Sequence, residues 1–307
     1  MKLEIDLFLN AVKRNFYFTD QEIESLANAF SEMYRSGLIG NDFLPKLGGG
    51  KDQSCQALSE LQLFRFFQEH GFKPQKIGSQ KKGVPDFLVK LNNVEIVVEL
   101  ITPMRVDTEN ASFSHFESTT ENGRPVFKRK GSIDVVQLKK DSLFEVISSC
   151  IHTKMKQFRK YLSDDVKVID ESHVNIICIN LGFIDGVDEV DFHFFNSLYG
   201  LIATHIEIEV DMDGQSFVSS KQNIKYDHTF IKNNGTCVNG SVFSEGLDDA
   251  IINDYTIISG IWFICLNEAG ELTQNKLLKN PHAKNPMPEI FENASSASRN
   301  YPSANNV

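Results

Sequence analysis

Two apolar runs separated by a pair of asparagines constrain this chain more than any other feature. Residues 84–91 and 94–101 flank Asn92-Asn93, so they read as two strands joined by a tight hairpin turn. Each run carries an acid. Asp86 stands at the start of the first strand, and Glu99 sits among Val97, Val98, Leu100 and Ile101 near the end of the second. In a hairpin those ends can be adjacent. A carboxylate buried among such neighbours costs on the order of several kcal/mol unless a metal or a base compensates it. Two carboxylates with a backbone carbonyl and waters are how proteins usually hold Mg²⁺. A metal so placed polarises a phosphoryl oxygen and helps form hydroxide from water. Glu95 shares the face of Glu99 by period-two alternation and is the competing residue.

The rest of the chain reads as α/β. In residues 1–45, Leu7, Phe8, Ala11 and Val12 recur at helical spacing. In the second helix there, Thr19 is an N-cap and Glu22 completes a capping box ahead of Ile23, Leu26, Ala27, Phe30 and Met33. Leu47-Gly48-Gly49-Gly50 is a flexible break. Gly50-Lys51 is no phosphate loop, since no glycine lies five residues before Gly50 and Asp52 replaces the required Ser or Thr. Residues 53–70 form a helix closed by Gly71. Residues 102–135 read as polar and irregular, and a long helix follows from about Val136 to Leu162. Then come a strand at 173–181, a helix near 190–201, a strand at 204–210, a turn through Asp211-Met212-Asp213-Gly214 into 216–219, and an apolar strand at 255–266. The expected organisation is an N-terminal helical segment (1–47), one α/β domain (51–280), and a poorly ordered tail (281–307) rich in Asn, Pro, Ser and Ala.

Charge narrows the partners. The 307 residues carry 31 Lys+Arg and 41 Asp+Glu, a formal charge of −10. Residues 1–160 hold 23 basic and 20 acidic side chains, and residues 161–307 hold 8 and 21. An acidic total argues against non-specific coating of nucleic acid, which depends on neutralising phosphates. It leaves room for an enzyme that confines its basic groups to one face. Residues 120–160, with ten Lys/Arg and four acids, are the candidate face, centred on Lys128, Arg129 and Lys130. The longest apolar run, 257–266, is about half of a membrane span, and no leader pattern opens the chain, so no membrane partner is expected. Five scattered cysteines in apolar surroundings suit reduced thiols and a cytoplasmic location. The eight histidines form neither a His-x-His nor a His-Glu-x-x-His pair.

Taken in order, these residues resemble the PD-(D/E)XK nuclease superfamily over most of residues 52–290. Pro85-Asp86 matches the family's first acidic motif and Glu99 its second acid. Glu60 lies on the preceding helix, where the family places an acid that orients metal-bound water; its neighbours Ala57, Phe64 and Phe67 are apolar. Gln157 and Tyr161 match the Gln-x-x-x-Tyr motif, which contacts nucleic acid or metal-bound water in one branch. Residues 280–286 (Asn-Pro-His-Ala-Lys-Asn-Pro) look like a closing signature of some bacterial members.

One position departs. Where the family has the lysine of Glu-x-Lys, this chain has Ile101. On the long helix the sheet-facing positions run Ile147, Cys150 and Ile151, Lys154, Phe158, Tyr161, so Lys154 falls inside the apolar stripe while Lys156 and Lys160 point elsewhere. The resemblance makes Lys154 the migrated lysine.

It implies a restriction-endonuclease-like core, a mixed β-sheet flanked by helices, with an N-terminal helical extension. It implies a Mg²⁺-dependent endodeoxyribonuclease, with Mn²⁺ as a substitute and Asp86 and Glu99 as metal ligands. The substrate class is DNA, with RNA left open, and family habit suggests a phage-defence setting with a second copy or a defence partner. The alternative is a degraded nuclease fold that binds nucleic acid or protein.

Overall fold

The computed structural model describes residues 2–75, 84–91, 93–104, 108–121, 124–138, 140–163, 168–170, 172–184, 201–210, 217–226, 229–231, 237–239, 256–266, 272–289 and 291. It describes backbone alone for 108–121, 124–138, 140–141, 144 and the strands between 201 and 239. Four helices open the chain: α1 (Lys2–Asn15), α2 (Asp20–Arg35), α3 (Phe43–Leu47) and α4 (Lys51–Glu69). Strands β1 (Lys73–Gln75), β2 (Phe87–Leu91), β3 (Val94–Ile101), β4 (Thr108–Glu121) and β5 (Arg124–Leu138) precede α5 (Lys140–Leu162). After it come β6 (Val174–Asn180), β7 (Leu201–Val210), β8 (Phe217–Tyr226), β9 (Thr229–Ile231), β10 (Cys237–Asn239), β11 (Gly260–Leu266) and β12 (Leu272–Lys279).

Six strands make one mixed sheet in the order β1-β2-β3-β6-β11-β12. The middle pairings, β3 with β6 and β6 with β11, are parallel; the outer ones are antiparallel. Parallel strands are usually covered on both faces, and β6 and β11 are buried at every position. Alternation divides each central strand between two apolar clusters. Ile96, Val98 and Leu100 pack on the face that carries α1 to α4. Val97, Ile177, Ile179, Ile261 and Phe263 pack against α5 through Ile147, Ile151 and Phe158. Helices therefore flank the sheet on both sides, and the N-terminal helices share the first cluster. The lone tryptophan, Trp262, is fully buried in that cluster beside Phe66, Phe67 and Phe291.

Several local expectations hold. The capping box closes, with Thr19 N donating to Glu22 Oε2 at 2.6 Å and Glu22 N to Thr19 Oγ1 at 3.3 Å. Gly71 takes φ +76° just past α4, the left-handed position that a helix-ending glycine fills without a Cβ penalty. Leu91 pairs with Val94 across the β2–β3 hairpin. The described cysteines Cys55, Cys150, Cys178 and Cys265 are buried. No helix among the described residues is long and apolar enough to cross a membrane.

Other expectations change. Residues 102–135 are not irregular throughout: β4 and β5 form an antiparallel hairpin of 14 and 15 residues. The long helix consequently starts at Lys140 and not at Val136, because Ile133, Val135 and Val136 pair with Phe113, Ala111 and Asn110. α3, β1 and β12 are additional elements. Residues 281–289 and 291, at the start of the expected loose tail, are packed: Met287 is 7% and Phe291 1% exposed, since both close over the first cluster, and the rest of that tail lies outside the described residues. Of the expected helix near 190–201, residues 190–200 lie outside the described residues, as does the turn at 211–214, and Leu201 opens β7.

Candidate active site

β3 and α5 build the centre. Glu99 shares its parity with Val97, so it faces α5, and there Lys154 interrupts the apolar stripe between Ile151 and Phe158. The two meet: Lys154 Nζ lies 2.6 Å from Glu99 Oε2 and 3.5 Å from Asp86 Oδ2. Tyr161, two turns further along α5, donates its hydroxyl to Glu99 Oε1 at 2.7 Å. Asp86, just before β2, accepts the backbone N–H of Leu100 at 2.8 Å, which fixes it at the mouth of β3. Lys154 and Glu99 are 7% and 1% exposed, whereas the Asp86 side chain keeps 25% of its surface. Asp86, Glu99, Lys154 and Tyr161 thus meet in one hydrogen-bonded cluster, and Ile101 packs against the second apolar cluster.

Glu95 is excluded from it. Its carboxylate is 40% exposed and pairs with Lys90 at 2.7 Å and His173 at 3.1 Å. Glu60 approaches from the other side of the sheet, on α4. Gln56, one turn earlier, donates to Glu60 Oε1 at 3.4 Å and to the Leu100 carbonyl at 3.5 Å, while its own oxygen accepts from Thr102 N at 2.9 Å. Gln56 therefore joins α4 to the exit of β3. The sequence reading passed over it, and the available signal was its place one helical turn before Glu60 on the same face.

The electrostatics follow from the count of charges. Three acids (Glu60, Asp86 and Glu99) surround one buried ammonium. Burial alone would weaken the charge of Lys154, but Asp86 and Glu99 more than reverse this and raise its pKa. Burial and the Asp86 charge push Glu99 up to about 7, against the opposing pull of Lys154 and Tyr161. The same two causes push Glu60 up to about 8. Burial, then the charge of Glu99, raises the Tyr161 phenol, so Tyr161 is a fixed donor. Burial pushes the neighbouring Cys150 thiol up to about 11, which keeps it from serving as a nucleophile.

The nucleic-acid residues divide. Tyr161 is 4% exposed and turned inward to Glu99. Gln157 is partly buried, and its Oε1 has no hydrogen-bond partner among the described residues. Lys128 and Arg129 stand opposite Glu117 and Phe116 on the β4–β5 hairpin; Lys130 falls where the register shifts, and the description there is of backbone only. The closing segment is a bracket: Asn280 donates to the Ile258 carbonyl, Lys284 N to Thr256 O, and Asn285 to His173 O.

Among the described residues no group of three or more His, Cys, Asp or Glu is gathered as metal ligands. No protein-family model matches this chain, nor does any curated protein or solved structure.

Proposed function

We propose that this chain is a metal-dependent phosphodiesterase of the restriction-endonuclease-like kind, acting on DNA. One observation carries the reading: Lys154, from the helix that follows the hairpin, meets both Asp86 and Glu99. This is the meeting that a displaced Glu-x-Lys lysine requires. The donor set is consistent with a hard divalent cation, because Asp86, Glu99 and the Leu100 carbonyl are all oxygen donors and the acids outnumber the ammonium. These residues would hold Mg²⁺, or Mn²⁺ in its place. A bound cation of this kind supplies Lewis-acid stabilisation of the phosphoryl oxygens.

The chain's own groups do the rest. Lys154 holds a fixed positive charge beside the position where the phosphorane charge develops. Glu60 orients the attacking water and, when ionised, accepts its proton. Tyr161 fixes the Glu99 carboxylate in one rotamer. The second reading, a degraded fold that binds without cutting, draws on the fact that both Glu99 oxygens are already engaged by Lys154 and Tyr161.

The test is incubation with supercoiled plasmid in Mg²⁺ or Mn²⁺, with and without chelator. Wild type is expected to cleave. Asp86→Asn, which keeps an acceptor for Leu100 N, should lose Mn²⁺ affinity in calorimetry and cleave at least about 10²-fold more slowly. Unchanged Mn²⁺ affinity in that variant would remove Asp86 from the ligand set. Binding of DNA by a wild type that never cleaves it would favour the second reading.

A further inference from the structure

The helix that carries Glu60 reaches the exit of β3 through Gln56. Thr102 N donates to Gln56 Oε1 at 2.9 Å. A backbone N–H can only donate, so this bond fixes which end of the amide is oxygen and turns the amide nitrogen the other way. There the nitrogen meets the Leu100 carbonyl at 3.5 Å and Glu60 Oε1 at 3.4 Å. Gln56 and Glu60 lie one turn apart on the same face of α4. Leu100 N in turn donates to Asp86 Oδ2 at 2.8 Å, and Lys154 Nζ lies 3.5 Å from the same oxygen. A continuous line of contacts thus runs from Glu60 through Gln56 and Leu100 to Asp86 and Lys154.

Two observations separate this contact from ordinary packing. The helix is seated without it: Leu58, Leu61 and Phe64 are buried, and Ser59 accepts from Asn180 of β6 at 2.9 Å. Glu60, by contrast, depends on it. A glutamate turns about three torsions, and among the described residues Gln56 gives the one hydrogen bond that the Glu60 carboxylate accepts. When Glu60 ionises, that bond becomes charge-assisted, which shortens and strengthens it. The Leu100 carbonyl has two lone pairs, so its contact with Gln56 leaves one for a cation.

We propose that Gln56 is a positioning residue: its amide nitrogen holds the Glu60 carboxylate beside the Leu100 carbonyl, and so keeps the acid that takes the proton at a fixed separation from the oxygens that hold the cation. Gln56 itself touches neither substrate nor metal and acts through Glu60. This inference rests on the phosphodiesterase reading, with Glu60 as the proton acceptor.

The experiment is a double-mutant cycle on the full-length chain, with wild type, Gln56→Met, Glu60→Gln and the two combined. Cleavage of a labelled duplex oligonucleotide in Mg²⁺ gives kcat and KM, calorimetry gives Mn²⁺ affinity, and the melting temperature reports the fold. Glu60→Gln should lower kcat about 10²-fold, the scale of one general base. Gln56→Met should lower kcat about tenfold and leave KM and Mn²⁺ affinity near wild type, because the base is present but misplaced. In the Glu60→Gln background Gln56→Met should cost less than about twofold more, since the group it positions is already gone. Gln56→Glu keeps an acceptor for Thr102 N and loses the amide donors, so it should match Gln56→Met even if the latter melts lower. Gln68→Met, at the far end of α4, should cleave like wild type. If wild type cleaves and both Gln56 variants keep its kcat, the inference falls and the phosphodiesterase reading stands. A Gln56→Met loss that adds in full to that of Glu60→Gln also overturns it, since Gln56 would then act through β3. A wild type that never cleaves overturns both.

Discussion

The two faces of the central sheet bury polar groups in different ways. On the α4 face the buried set around Asn180 is neutral and hydrogen-bonded. Asn180 of β6 donates to Ser59 at 2.9 Å, and its oxygen accepts from Gly182 N and Leu266 N, both at 3.0 Å. On the α5 face the set is charged and unbalanced, with Lys154 answering Glu99 and Asp86 together. A neutral network fixes strand ends and asks nothing more of its surroundings. A charged one with surplus acid is held under electrostatic tension. Glu60 belongs to the first face by its helix and to the second by its charge, because it sits at the edge where they meet.

The largest effect should come from unpairing the charged face. Glu99→Leu leaves the buried Lys154 ammonium only its longer contact to Asp86 and should cost about 3–5 kcal/mol in urea unfolding. The double variant Glu99→Leu/Lys154→Met removes the buried pair together and leaves only the part-exposed Asp86, so it should recover most of that loss. A single-variant cost below about 1 kcal/mol would mean the pair is far wetter than its burial indicates.

The neutral face should respond less and without pH dependence. Asn180→Ala removes the acceptor of two backbone N–H groups and is expected to cost about 1–3 kcal/mol, equally at pH 5 and pH 8. A pH-dependent cost would blur the distinction between the faces.

Glu60 should give the smallest change, with a sign set by linkage. Its folded pKa of about 8 lies above the ordinary 4.5, so the fold favours the neutral acid. That contribution is complete below the unfolded value and is lost as pH rises through the folded one. Glu60→Gln, neutral throughout, should match wild type in melting temperature near pH 4.5 and exceed it near pH 8.5. If wild type melts higher at pH 8.5, Glu60 is held as a carboxylate in the fold.

What could be read from the residues follows the same division. Glu99 and Lys154 declared themselves because a charge inside an aliphatic stripe has few outcomes. Glu95 and Glu99 were harder to separate, since period two puts them on one face; the solvent-accessible partners Lys90 and His173 decide it. Gln56 gave little signal, because a glutamine on a helix is ordinary until the strand it touches is known. The β4–β5 hairpin hid in a polar stretch. Its strands end at Glu121 and restart at Arg124, and the Asn122-Gly123 pair between them is a short hairpin signal.

Trp262 makes the first cluster observable with light. It is the chain's one tryptophan, its indole N–H donates to Asn275 at 2.7 Å, and its ring meets Phe291 edge-on at 5.4 Å. Emission at the red edge of absorption therefore comes from a single fluorophore wedged between α4, β12 and the last described turn of the chain. Its wavelength reports whether that turn stays seated. Quenching by acrylamide would time its departure separately from global unfolding, with no label attached.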